Sequence, residues 1–166
     1  QLDNGLYQHS PLDPTAWGRG NGFAALGASM CLSLLSPDIE GYEEAQQSFV
    51  RQIEALVKHQ DATGSWHQVV DHPESYPEFT STCMIASAIS IGIKTGVLQR
   101  EDYRQIIVQA QKATIRRIAP NGFINDVCTG TGKQKNLRGY LDREAIQGRN
   151  DRAGAMALLF LTLLHQ

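Results

Sequence analysis

The strongest constraint on this chain is a segment that returns about every 58 residues. Gly5-Leu6-Tyr7-Gln8-His9 is echoed by Gly64-Ser65-Trp66-His67-Gln68 and by Gly122-Phe123-Ile124-Asn125-Asp126, at offsets of 59 and 58 residues. A turn signal precedes each glycine: Asp3-Asn4, Asp61-Ala62-Thr63 and Pro120-Asn121. Such a period marks a repeat architecture, whose units bury their apolar faces against one another. After each glycine turn come a short extended piece, a loop and a helix with no charged face. Those helices are expected over 20–35, 79–93 and 152–164.

The stretches between them, 43–60 and 101–119, read as amphipathic helices. Phe49, Ile53, Leu56 and Val57 share a stripe in the first, with Glu44, Arg51, Glu54 and Lys58 off it. Tyr103, Ile106, Ile107, Ala110, Ala113 and Ile118 form the stripe of the second. Ser36-Pro37-Asp38 and Gly96 break the chain between partners. A helix with no polar face is expected to be buried on all sides, and an amphipathic one on a single side. The alternation therefore predicts an all-α fold, an inner ring of helices wrapped by an outer ring. This is an α/α toroid of helical hairpins, of the (α/α)6-barrel type.

Three inner and two outer helices make residues 1–166 a single partial toroid domain, about half of a full barrel. Six hairpins at this period would need on the order of 350 residues. Closure is expected to require a missing N-terminal half or a second copy, the former being favoured.

Composition excludes some partners. A net charge of −2 supplies no field for nucleic acid or an anionic membrane. The apolar runs are too short, and too rich in Gly, Ser and Ala, to span a bilayer. Cys31, Cys83 and Cys128 are odd in number and are expected as buried free thiols. Cytoplasmic and periplasmic or secreted locations both stay open.

The chemistry is concentrated in Trp17-Gly18-Arg19-Gly20-Asn21-Gly22-Phe23. Its alternating glycines allow a sharp bend and close approach. Between them stand an aromatic ring, a guanidinium and an amide, groups that stack on sugars, pair with carboxylates and bond hydroxyls. No charge follows Arg19 until Asp38. The segment reads as a loop at the mouth of a cavity walled by the helix after it. Other rim candidates precede the next two uncharged helices: His67, Gln68, Asp71, Tyr76 and Glu78, then Asp126, Thr129, Thr131, Arg149 and Asp151. With His9 they suit a polar, ring-shaped, anionic ligand better than a lipid. Each also has a structural reading. Trp17 can plug the inner layer, Arg19 can pair with a structural acid, Asn21 can shape a turn, and Asp151 can cap a helix.

Several motifs are incomplete. Gly18-Arg19-Gly20-Asn21-Gly22 misplaces the third glycine of a dinucleotide fingerprint, and Gly130-Thr131-Gly132-Lys133 lacks the first glycine of a phosphate loop. His67, Asp71 and His72 lack metal-ligand spacing. No metal and no cofactor is expected.

Four segments occur in order: Gly5 to His9, Trp17 to Phe23, Tyr76-Pro77-Glu78 with Ser81-Thr82-Cys83-Met84, and Val127-Cys128-Thr129-Gly130-Thr131-Gly132. This succession resembles the C-terminal half of the unsaturated glucuronyl and rhamnogalacturonyl hydrolases, glycoside hydrolase families 88 and 105. The resemblance implies an (α/α)6 toroid that removes a 4,5-unsaturated uronic acid from the non-reducing end of an oligosaccharide. In that family an aspartate protonates the vinyl ether and activates water, and the resulting hemiketal opens to release the aglycone. This departs from the usual two-carboxylate geometry, though a tuned acid/base is still needed.

By motif position, His9, Trp17, Arg19, Asn21 and Phe23 match the family's substrate-binding stretch. Arg19 would face the uronate and Trp17 would stack on the ring. Phe23 stands where many relatives have tryptophan. The family's catalytic aspartates lie upstream of the Gly-Leu-Tyr segment, so the catalytic residue is expected outside this chain. Competing readings are another sugar-handling toroid, such as an epimerase or different glycosidase, and a non-catalytic helical-repeat fragment. A terpene cyclase is suggested only by the single Gln60-Asp61-Ala62-Thr63-Gly64-Ser65-Trp66.

Overall fold

In the computed structural model, which describes residues 1–130 and 132–165, six helices and one hairpin follow in the order α1 (Gly18–Leu34), α2 (Tyr42–Val57), α3 (Phe79–Lys94), α4 (Arg100–Arg116), β1 (Ile124–Cys128), α5 (Leu137–Leu141), β2 (Ala145–Gly148) and α6 (Asp151–Leu163). Thr131 lies outside the described residues. The chain is mainly helical, as expected. Helix α3 lies between α1 and α6, while α2 packs behind α1 and α4 behind α3.

The middle helix shows why absence of charge matters. Every residue of α3 from Phe79 to Ile89 is buried. Its hydroxyls are disposed of locally: Thr82 donates to the Glu78 carbonyl, Ser87 to that of Cys83 and Ser90 to that of Ala86, each at 2.8 Å. The outer helices bury one stripe each. Phe49, Ile53 and Leu56 of α2 lie at 0–1 % exposure, and Ala110 and Ala113 of α4 likewise. Acidic first turns, Glu43 and Glu44 in α2 and Glu101 and Asp102 in α4, favour the positive end of each helix dipole.

The glycines of the repeat share one backbone state. Gly5, Gly64 and Gly122 have φ of +89°, +89° and +79°, the left-handed region that a Cβ resists.

Three expectations need correction. Helices α1 and α6 are not buried all round. Phe23, Met30 and Leu34 are 49, 47 and 82 % exposed, with Gly27 and Cys31 on or beside the same stripe, and Leu158 of α6 is 70 % exposed. The cause is position: among the described residues α1 packs on α3 and α2 and α6 mainly on α3, so part of each helix surface is left uncovered. Cys31 is accordingly exposed, whereas Cys83 and Cys128 are buried and in no disulfide, and burial pushes the Cys83 thiol up to about 12. Secondly, the glycine-rich stretch is already helical from Gly18. Finally, the segment before α6 holds an antiparallel hairpin that pairs Ile124 with Gly148 and Val127 with Ile146. A bulge between those pairs leaves Asp126 at φ +61°. These strands are too short for alternation to show.

Candidate active site

The N-terminus of α1 is where α3, the hairpin and α5 bring polar groups together. Trp17 is the N-cap residue but contributes no side-chain cap. Instead the Gly18 N–H donates to the Gln68 carbonyl at 2.8 Å, so the loop before α3 satisfies an orphan donor of α1. The approach is close because Gly18 has no Cβ; an added one would sit 2.3 Å from the His67 carbonyl oxygen.

Arg19 is 2 % exposed and its guanidinium is engaged on every side. Nε donates to Thr80 Oγ1 at 2.9 Å, and the terminal nitrogens donate to the carbonyls of Thr129 and Cys128. Nη2 also stands 3.6 Å from Oε1 of the fully buried Glu78. Glu78 in turn caps α3 by accepting from the Thr80 and Ser81 N–H groups, and accepts the Cys128 N–H at 2.9 Å. This ion pair therefore fastens α1, α3 and β1 to one another. Arg19 is placed where it anchors the rim, through the structural acid that one reading of the sequence allowed.

Asn21 is also buried, and its amide copies a backbone edge. Oδ1 accepts from the Tyr7 N–H and Nδ2 donates to the Tyr7 carbonyl, both at 2.8 Å, so the extended piece 5–9 is pinned to α1. Its polar atoms are spent on the fold.

Trp17 is 6 % exposed, its ring centroid 4.5 Å from that of His9. Val69, Cys128 and Tyr140 complete a small second core with it, flanked by Leu137 and Leu141. Among the described residues its Nε1 is buried without a hydrogen-bond partner, as is Gln68 Oε1. Unpaired buried polar atoms are uncommon, and these two lie on the same rim. Phe23 offers the half-exposed ring of the expected set, one turn along α1.

His9 is half-buried, and its Nδ1 lies 2.7 Å from the Tyr140 hydroxyl. Burial, and then the cations Lys133 and Arg143, hold its pKa below the usual 6.5. The unfolded chain thus takes this proton first as pH falls. The stabilising contribution is complete above about 6.5 and is lost as pH drops through the lower folded value. Denaturant midpoints below pH 6.5 should therefore fall more steeply for the native chain than for His9→Gln; parallel profiles would show that His9 is not held neutral.

The other rim candidates divide. His67 donates from Nδ1 to the Ser75 carbonyl at 2.5 Å, with Nε2 at 3.0 Å from Asp61. Burial alone would raise the Asp61 pKa, but bonds from Ser65, Thr63 and His67 lower it overall. Gln68 Nε2 donates to the Tyr140 carbonyl at 2.7 Å. Asp126 is held by Arg117 at 3.1 Å and by Gln147. Thr129 supplies a carbonyl to Arg19, and Asp71, Arg149 and Asp151 are exposed. The cap of α6 is Asn150, not Asp151, since Asn150 Oδ1 accepts the Ala153 N–H at 2.9 Å. Sequence reasoning missed Tyr140, whose one signal was a lone aromatic in a polar loop. A cavity of about 370 Å³ lies elsewhere, between α4 and the C-terminal ends of α3 and α6. Among the described residues no cluster of three His, Cys, Asp or Glu could hold a metal, and no helix is long and apolar enough to cross a membrane.

Comparison with known proteins places this arrangement. The profile described as Glycosyl Hydrolase Family 88 matches residues 6–165. The chain belongs to this family. It is 32 % identical over 161 residues to the unsaturated rhamnogalacturonyl hydrolase YesR of Bacillus subtilis, covering 96 % of this chain and 43 % of that protein. A possible member of family GH105 from Klebsiella pneumoniae superposes with a TM-score of 0.88 at 25 % identity, over 98 % of this chain and 44 % of that one. Another from Salmonella enterica gives 0.87 at 27 %, over 99 % and 46 %. The chain thus spans just under half the length of these relatives. Family membership makes it a glycoside hydrolase sequence with the helical-toroid fold.

Proposed function

We propose that this chain is the substrate-holding half of a hydrolase that removes a 4,5-unsaturated uronic acid from the non-reducing end of an oligosaccharide. The observation that carries the reading is the 32 % identity to an unsaturated rhamnogalacturonyl hydrolase across 96 % of the chain. The rim supports it. Phe23 offers an apolar ring to a sugar face. His9 stands beside Trp17, and the charges of Lys133 and Arg143 act on His9, which favours an anionic ligand. Trp17, Arg19 and Asn21 hold these groups in place from behind.

The reaction is hydration of the vinyl ether: an aspartate gives a proton to the double bond and activates water, and the hemiketal formed opens to release the aglycone. That aspartate belongs to the other half of the ring. Of the acids on this rim, Glu78 and Asp126 are bound to Arg19 and Arg117, and Asp71 is exposed. The other half also covers the open stripe of Met30 and Leu34. An apolar stripe of this kind is an interface feature, and the relatives are about twice as long as this chain.

The 166-residue chain alone is expected to leave the ultraviolet absorbance of an unsaturated rhamnogalacturonan disaccharide unchanged, while the disaccharide raises its melting temperature. Turnover by the chain alone would overturn the placement of the acid and point to Asp71. A melting temperature equally indifferent to the unsaturated and the saturated sugar would overturn the sugar site.

A further inference from the structure

His9 and Tyr140 are 131 residues apart and meet at 2.7 Å, between His9 Nδ1 and the tyrosine hydroxyl. Their rings meet edge to face, with centroids 5.6 Å apart. Tyr140 is fully buried and fixed at both ends, with its ring in the second core and its carbonyl bonded to Gln68 Nε2 at 2.7 Å. Among the described residues its hydroxyl has one other hydrogen-bond partner, the Gln134 backbone N–H at 3.3 Å.

The direction of the bond follows from counting protons. A backbone N–H only donates, so the Tyr140 oxygen accepts from Gln134. The hydroxyl's own proton then needs an acceptor, and His9 Nδ1 is the one within reach. If Nδ1 carried a proton instead, two donors would converge on the tyrosine oxygen and its own proton would be left buried without a partner, which costs free energy. The ring proton is thereby sent to Nε2, which has no hydrogen-bond partner among the described residues. The nearby cations Lys133 and Arg143, together with partial burial, disfavour protonating both nitrogens.

We infer that Tyr140 is a positioning residue that fixes the tautomer of His9, so that His9 meets its ligand as a neutral Nε2–H donor. The partner atom is an acceptor oxygen, a hydroxyl or carboxylate oxygen of the uronide. His9 is then no base toward the cavity, because its lone pair is turned inward onto Tyr140. Only the identity of that acceptor rests on the hydrolase reading; the tautomer is a property of the chain without ligand.

The test is nitrogen NMR of the histidine-labelled, ligand-free chain above neutrality. The expected spectrum shows a one-bond proton coupling on His9 Nε2, none on Nδ1, and a slowly exchanging Tyr140 hydroxyl coupled to Nδ1. In Tyr140→Phe the Nδ1 resonance moves toward that of an unbonded imidazole nitrogen while the backbone spectrum persists. A proton on Nδ1 in the native chain, or an Nδ1 resonance indifferent to Tyr140→Phe, overturns the inference. If that variant does not fold, the native coupling across the Tyr140–Nδ1 bond decides alone. A disaccharide that fails to bind would sink the hydrolase reading and leave the tautomer assignment untouched.

Discussion

Glu78→Ala is expected to destabilise the chain by about 3–5 kcal/mol, the cost of removing one member of a buried ion pair. The size follows from what is orphaned. Glu78 is wholly buried and stands 3.6 Å from the guanidinium of Arg19, itself 2 % exposed. Its carboxylate also accepts the N–H groups of Thr80, Ser81 and Cys128 at 3.0, 2.6 and 2.9 Å. Alanine leaves a buried cation without its counter-charge and four donors, the Thr80 hydroxyl among them, without their acceptor, and opens the junction of α1, α3 and β1. Glu78→Gln keeps one acceptor oxygen and should cost less. Arg19→Met combined with Glu78→Gln should recover part of the loss, because the charge is then removed with its counter-charge. Urea midpoints at constant slope measure all three. Additive losses in the double variant would show that the two side chains are not coupled.

The pair also marks the limit of what the sequence discloses. Hydrophobic period and the spaced glycines revealed the five long helices and their two layers, because a buried stripe is written directly into residue order. The same reasoning named Arg19 and Glu78 as rim residues but not as each other's partners, since they are 59 positions apart and only the fold brings them together. Asn21 was legible as polar beside glycines, but its bonds to Tyr7 follow from where the extended piece runs. Tyr140 was invisible for a different reason. It sits in the five-residue helix α5, too short for any periodic signal. The exposed stripe of α1 was misread because lack of charge reports that a face is apolar, not that something covers it.

Gly64→Ala is expected to cost about 3–4 kcal/mol, from about 1–2 for a Cβ in the left-handed region and the remainder from collision. Gly64 has φ +89°, and an added Cβ would lie 2.3 Å from the Gln109 carbonyl oxygen of α4. A helix backbone cannot yield there. The turn would lift from α4 and strain the 3.0 Å bond from Gln60 Nε2 to the Ile106 carbonyl. Gly5 repeats the relation, its Cβ position 2.9 Å from the Arg51 carbonyl oxygen of α2. In both repeats the glycine turn is jammed against the outer helix that follows its inner helix. Gly122 has the same backbone state, φ +79°, yet meets nothing within 4 Å. For the 166-residue chain, Gly122→Ala should therefore cost only the backbone strain, about 1–2 kcal/mol. If, as proposed, a further outer helix closes a ring over the third repeat, the same substitution in that closed ring should approach the cost at Gly64. Chemical denaturation of the paired variants reads the difference. Equal losses at Gly64 and Gly122 in the isolated chain would mean that the third repeat already carries its outer neighbour, and the open edge would no longer be the place where the ring is joined.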